Sequence, residues 1–129
     1  MSLSPAQISR AALKAYADKD RSAIEALIAP DFHFTSPMDN RLSRDTYFEL
    51  CWPNSETMAE VEIVHAIDDG DRAWIVYEVT TTGGKLFRNA ELHTTRNGKL
   101  VDVEVYFGWE VPHSVPLGQH RENTGAGHP

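Results

Sequence analysis

Asn97-Gly98 stands between two long alternating runs, and no other feature narrows the possible folds as far. A two-residue hairpin turn needs positive φ at both positions to match the twist of its strands, and Asn-Gly takes that conformation at least cost. The outgoing run is Lys85 to Arg96 and the return run is Lys99 to Trp109. On the return, Val101, Val103, Val105 and Phe107 alternate with Asp102, Glu104 and Tyr106, which predicts a strand with one apolar face and one wet face. The outgoing run sorts Leu86, Arg88, Ala90, Leu92 and Thr94 to one side and Phe87, Asn89, Glu91, His93 and Thr95 to the other. Strict two-residue pairing sets His93 opposite Asp102 and turns the even-numbered residues inward. A single bulge reverses this, because a slip of one residue exchanges the two faces.

The segments before the hairpin supply helices first and strands afterwards. Ser4-Pro5-Ala6-Gln7 predicts a capped helix start, and Ile8, Ala11, Ala12, Ala15 and Tyr16 continue it as an apolar stripe to about Asp18. Asp20 caps a second helix carrying Ile24, Leu27 and Ile28, which must end by Pro30. Asp31 to Ser36 alternates as a short strand, broken by turn residues from Pro37 to Asn40. Ser43 caps a third helix through Leu50, closed by Pro53. Strand-like runs follow at Met58 to Ile67 and Arg72 to Thr82. This order predicts an α+β fold, with helices on one face of a long antiparallel sheet.

A chain of 129 residues suits one domain, expected over residues 1–110, with the Pro-, Gly- and His-containing residues 111–129 as an extended or disordered tail. The net charge of −7 and the lack of a basic cluster weigh against nucleic acid and anionic membranes as partners. A single cysteine, Cys51, in the run Tyr47 to Trp52 reads as a buried thiol. No bilayer-length apolar run or signal peptide is seen, so a cytoplasmic location is expected.

Two segments carry a family resemblance: KDRSAIEALIAPDFHFTSP from Lys19 to Pro37, and Asn97-Gly-Lys-Leu-Val101 followed by Glu104-Val-Tyr-Phe107. With the order of elements, they resemble the NTF2-like superfamily and its SnoaL-like branch, over about Ser4 to Trp109. The resemblance implies a curved sheet wrapped around three N-terminal helices into a conical pocket, and a homodimer packed through the outer face of the sheet. It also implies that the odd-numbered outgoing residues, Phe87, Asn89, Glu91 and His93, face the pocket. In the ketosteroid isomerases of this superfamily, the positions of the general-base Asp and the phenolic donor correspond to Ser36 and Ala12. Limonene-epoxide hydrolases need an Asp where Val105 stands. Neither mechanism carries over, and for polyketide cyclases Glu91 or His93 replaces the acid/base in kind only.

Glu91 and His93 share one face of a strand, two residues apart, and a carboxylate beside an imidazole is suited to acid/base work near neutral pH. They are the expected catalytic pair, with Asn89, Phe87, His33 and Tyr16 as substrate-binding residues. The bland alternative is a solvated strand face, decided by register alone. Two histidines with Glu91 would also make a metal set, but not at a recognised spacing, and no metal is expected. There is no Gly-rich phosphate loop or nucleophile elbow, so no cofactor is expected. The expected function is binding of a small apolar molecule, with isomerase, cyclase, dehydratase or hydrolase chemistry. The alternative is a noncatalytic ligand-binding or protein-association module.

Overall fold

Ser4 caps the first helix as its sequence predicts. Its hydroxyl accepts the Gln7 N–H at 3.2 Å, and the Gln7 side chain accepts the Ser4 N–H at 2.8 Å. The computed structural model describes residues 3–122. Helix α1 spans Pro5–Asp18 and ends on Lys19 in the left-handed conformation; α2 spans Arg21–Leu27, with the Asp20 side chain accepting from the Ala23 N–H. Strand β1, Ile28–Ser36, begins at once. Ile28, expected on the helix, opens the strand instead, because Pro30 disfavours helical conformation in Ala29 before it and the helix stops short.

The chain then turns at residues 37–38 and returns as β2, Asp39–Ser43, a strand the sequence reading took for part of a break. Helix α3 is Arg44–Leu50, followed by a 3₁₀ segment Trp52–Thr57 with Pro53 in its first turn. Four long strands complete the fold: β3 Met58–Asp69, β4 Arg72–Thr81, β5 Leu86–Arg96 and β6 Lys99–Glu110.

The strands form one six-stranded sheet in the order β2-β1-β6-β5-β4-β3. The meander β3 to β6 is antiparallel, as expected, while β1 lies parallel to β6 through the pairs His33–Asp102 and Phe34–Val103. Three helices pack on the concave face of this curved, unclosed sheet: α1 crosses β3 and β4, and α3 lies against β1. On β4 the inward residues Ala73, Ile75, Tyr77 and Val79 are all buried. Beyond Glu110 the chain to residue 122 forms no helix or strand, although the Val111 N–H still reaches the Leu86 carbonyl at 2.8 Å. The rest of the expected tail, residues 123–129 with His128, lies outside the described residues. Among those described, no helix is long and apolar enough to cross a membrane.

Candidate active site

One extra residue in β6 decides which side chains enter the cone. Arg96 pairs with Lys99 and Thr95 with Leu100, but Thr94 pairs with Asp102, so Val101 is a bulge. From there His93 pairs with Val103 and Glu91 with Val105, and the odd-numbered residues of β5 turn inward with the valines. A second shift near the far end sets Asn89 opposite Phe107 and Arg88 opposite Trp109, leaving Gly108 as the extra residue.

The cone encloses a cavity of about 560 Å³ with mostly apolar walls. Phe32, Ile24, Val103 and Leu100 line its buried depth, whereas the exposed lining residues Met38, Asn54, Lys85 and Trp109 mark its mouth. Tyr16, Phe87, Asn89, Glu91 and His93 all line it. His33 does not, which corrects the sequence expectation. Phe32 and Phe34 take the inward positions of β1, so by strand alternation His33 faces the outer side, where its Nδ1 lies 3.3 Å from Arg41 Nη2. The set of two histidines and Glu91 therefore does not assemble.

The polar groups inside form a connected chain. His93 is 2 % exposed, with Nδ1 at 2.6 Å from Ser9 Oγ and Nε2 at 2.7 Å from Glu91 Oε1. The Tyr77 hydroxyl donates to Glu91 Oε2 at 2.5 Å, and Asn89 Nδ2 donates to that same hydroxyl oxygen at 3.5 Å. The Gly108 N–H in turn donates to Asn89 Oδ1 at 3.1 Å, which fixes the orientation of the amide. Burial, and then the neighbouring Glu91 charge, push the Tyr77 phenol well above its usual range, so it stays a donor. Glu91 thus sits between the Tyr77 donor and the His93 ring and keeps free lone pairs on both oxygens.

A second polar group in the cavity is the hydrogen-bonded phenol pair Tyr16 and Tyr47, from α1 and α3. Burial raises both above the ordinary phenol range. Tyr77 and Ser9, like Tyr47, lie outside the site residues expected from the sequence. Their signal was a hydroxyl at an apolar position: Tyr77 in the inward series Ala73, Ile75, Val79, and Ser9 one helical turn before Ala12 on the buried side of α1.

Comparison with known proteins agrees with this geometry. The SnoaL-like domain model matches residues 9–103, and the chain belongs to that family. No curated protein matches it in sequence. Among solved structures, a protein from Kribbella flavida is 18 % identical with a TM-score of 0.76, over 83 % of this chain and 88 % of its own. An NTF2-like protein of unknown function from Cytophaga hutchinsonii is 17 % identical with a TM-score of 0.69, over 84 % and 93 %. IdmH from Streptomyces antibioticus, described as a proposed polyketide cyclase, is 17 % identical with a TM-score of 0.66, over 78 % and 89 %. The fold is that of the NTF2-like proteins.

Proposed function

We propose that the protein takes a small apolar molecule into the cavity and acts on it by acid/base chemistry, with Glu91 as the proton acceptor. One observation carries this reading: a carboxylate held between the His93 ring and the Tyr77 donor projects into a mostly apolar cavity. A fixed carboxylate in a largely desolvated site is a far better base than one in water, where its hydration shell must first be removed. The Tyr16 and Tyr47 pair, with one O–H engaged between the two phenols, supplies the other O–H as a donor for a substrate oxygen on which charge builds as the proton leaves. Asn89 and Phe87 contribute polar and apolar contacts to the bound molecule. His93, with both ring nitrogens engaged, holds Glu91 and does not itself meet substrate. The reaction belongs among isomerisations, cyclisations, dehydrations or hydrolyses begun by proton abstraction. Two copies pack through the outer face of the sheet, where Trp74 and Tyr106 stand exposed with ring centres 6.1 Å apart.

The test uses 5-nitrobenzisoxazole, a small apolar C–H acid. When a base takes its ring C–H proton, the N–O bond breaks and a coloured cyanophenolate is released, with no other reactant. The wild-type protein is expected to accelerate this saturably over free acetate by at least about a hundredfold, the lower range for a positioned base. Glu91→Gln, which keeps shape and hydrogen bonding, is expected to remove the acceleration. Equal rates for wild type and Glu91→Gln, or no saturable rate at all, would overturn the reading.

A further inference from the structure

Ser9 is fully buried in α1, 84 positions from His93 in the chain, and its hydroxyl lies 2.6 Å from His93 Nδ1. A buried hydroxyl can donate or accept, so with a single partner on a ring nitrogen it anchors the ring whichever way the proton lies. We infer that Ser9 is a positioning residue that holds the His93 ring with Nε2 toward Glu91. The Glu91 carboxylate draws the ring proton to Nε2, and the Ser9 O–H donates to Nδ1. The inference rests on Glu91 being the proton acceptor.

The chemistry of the partners sets this direction. Nε2 to Oε1 is 2.7 Å and the Tyr77 hydroxyl to Oε2 is 2.5 Å, both in the range of hydrogen bonds to an ionised carboxylate. An ionised Glu91 accepts only, so His93 Nε2 must be the donor. A neutral ring donating from Nε2 can only accept at Nδ1, and Ser9 is the group there. The opposite arm reads the same way, from the Gly108 N–H through Asn89 and Tyr77 to Oε2. Both arms converge on one carboxylate. With the ring anchored by Ser9 and its Nε2 proton held by the carboxylate, the imidazole acts as a fixed donor, and proton exchange with substrate falls to Glu91 alone.

The experiment is ¹⁵N NMR of the His93 ring in the full-length chain at neutral pH, with Ser9→Ala and Ser9→Thr beside wild type. Wild type is expected to give the signature of a neutral ring protonated on Nε2 with a hydrogen-bonded Nδ1, Ser9→Ala an Nδ1 resonance shifted by loss of that bond, and Ser9→Thr, which retains the hydroxyl, the wild-type pattern. Elimination of 5-nitrobenzisoxazole is expected to fall about tenfold in Ser9→Ala, the factor set by one ordinary hydrogen bond. A wild-type ring protonated on Nδ1, or on both nitrogens, would overturn the inference, as would an Nδ1 shift in Ser9→Ala unchanged from wild type. The wild-type Nδ1 shift, which reports a hydrogen bond accepted there, tests the inference even if a variant fails to fold. Because the spectrum needs no turnover, its failure is distinct from loss of base activity in the elimination assay.

Discussion

Tyr16, Tyr47 and Tyr77 bring phenols together in one apolar cavity, and burial is the first cause raising each above the ordinary range. The Cys51 thiol in the same wall is also pushed up by burial, to about 11. A raised value means that the folded state holds its proton more tightly than the unfolded chain does. Stability from these groups is therefore complete below the unfolded values, about 8.5 for a thiol and about 10 for a phenol, and falls as pH rises past them toward the folded values. Each fully shifted phenol contributes a slope of about 1.4 kcal/mol per pH unit, or about 4 kcal/mol for the three together. Urea unfolding followed at several pH values should show a steep loss of stability beginning near pH 10. In Tyr47→Phe the slope should be shallower by about one phenol's share, roughly 1.4 kcal/mol per pH unit. An alkaline limb of equal steepness in Tyr47→Phe would contradict the assignment.

At the scale of elements, the two irregularities of β6 matter more than its regular pairing. A Cβ added at Gly108 would lie 2.1 Å from the Arg88 carbonyl oxygen, a backbone atom that cannot swing away. Gly98, at φ +79° in the turn, has nothing within 4 Å of such a Cβ and would suffer only conformational strain. Gly108→Ala should therefore destabilise the domain by roughly 1–3 kcal/mol and disturb the Asn89 amide, and Gly98→Ala should cost about 1–2 kcal/mol. Denaturant midpoints would rank the two variants, and a Gly108→Ala protein as stable as wild type would refute the steric account.

The same elements mark how far the sequence could be read. Asn97-Gly98, the Ser4 capping box and the alternation of β6 were legible because each is a local rule written in adjacent residues. The Val101 bulge has no local signature; its sense came from resemblance, and the structure turns Asn89, Glu91 and His93 inward because of it. His33 was misjudged because β1 offers inward positions to two phenylalanines and to none of its polar residues before Ser36. The parallel pairing of β1 with β6 joins segments far apart in the chain, and no pattern within either one announces it.

For the molecule as a whole, the concave face is covered by helices, whereas the convex face leaves apolar side chains in water. Trp74 is 40 % exposed, Tyr106 49 % and Ile67 58 %, beside the Arg88–Glu78 ion pair and the carboxylate of Glu104 that accepts from the Tyr106 hydroxyl. Aromatic residues set among paired charges make a surface suited to another protein surface, and in the proposed dimer a two-fold axis would bring the same residues of a second copy into register. Each copy carries a formal charge of −7, so self-association works against like-charge repulsion, which salt screens. Light scattering at micromolar concentration should therefore give about twice the 14.5 kDa chain mass, with dissociation on dilution occurring more readily at low ionic strength than at high. Trp74→Glu adds a charge within the proposed contact and should yield a folded monomer. A wild-type monomer throughout this range, or a Trp74→Glu dimer of undiminished affinity, would exclude assembly through this face.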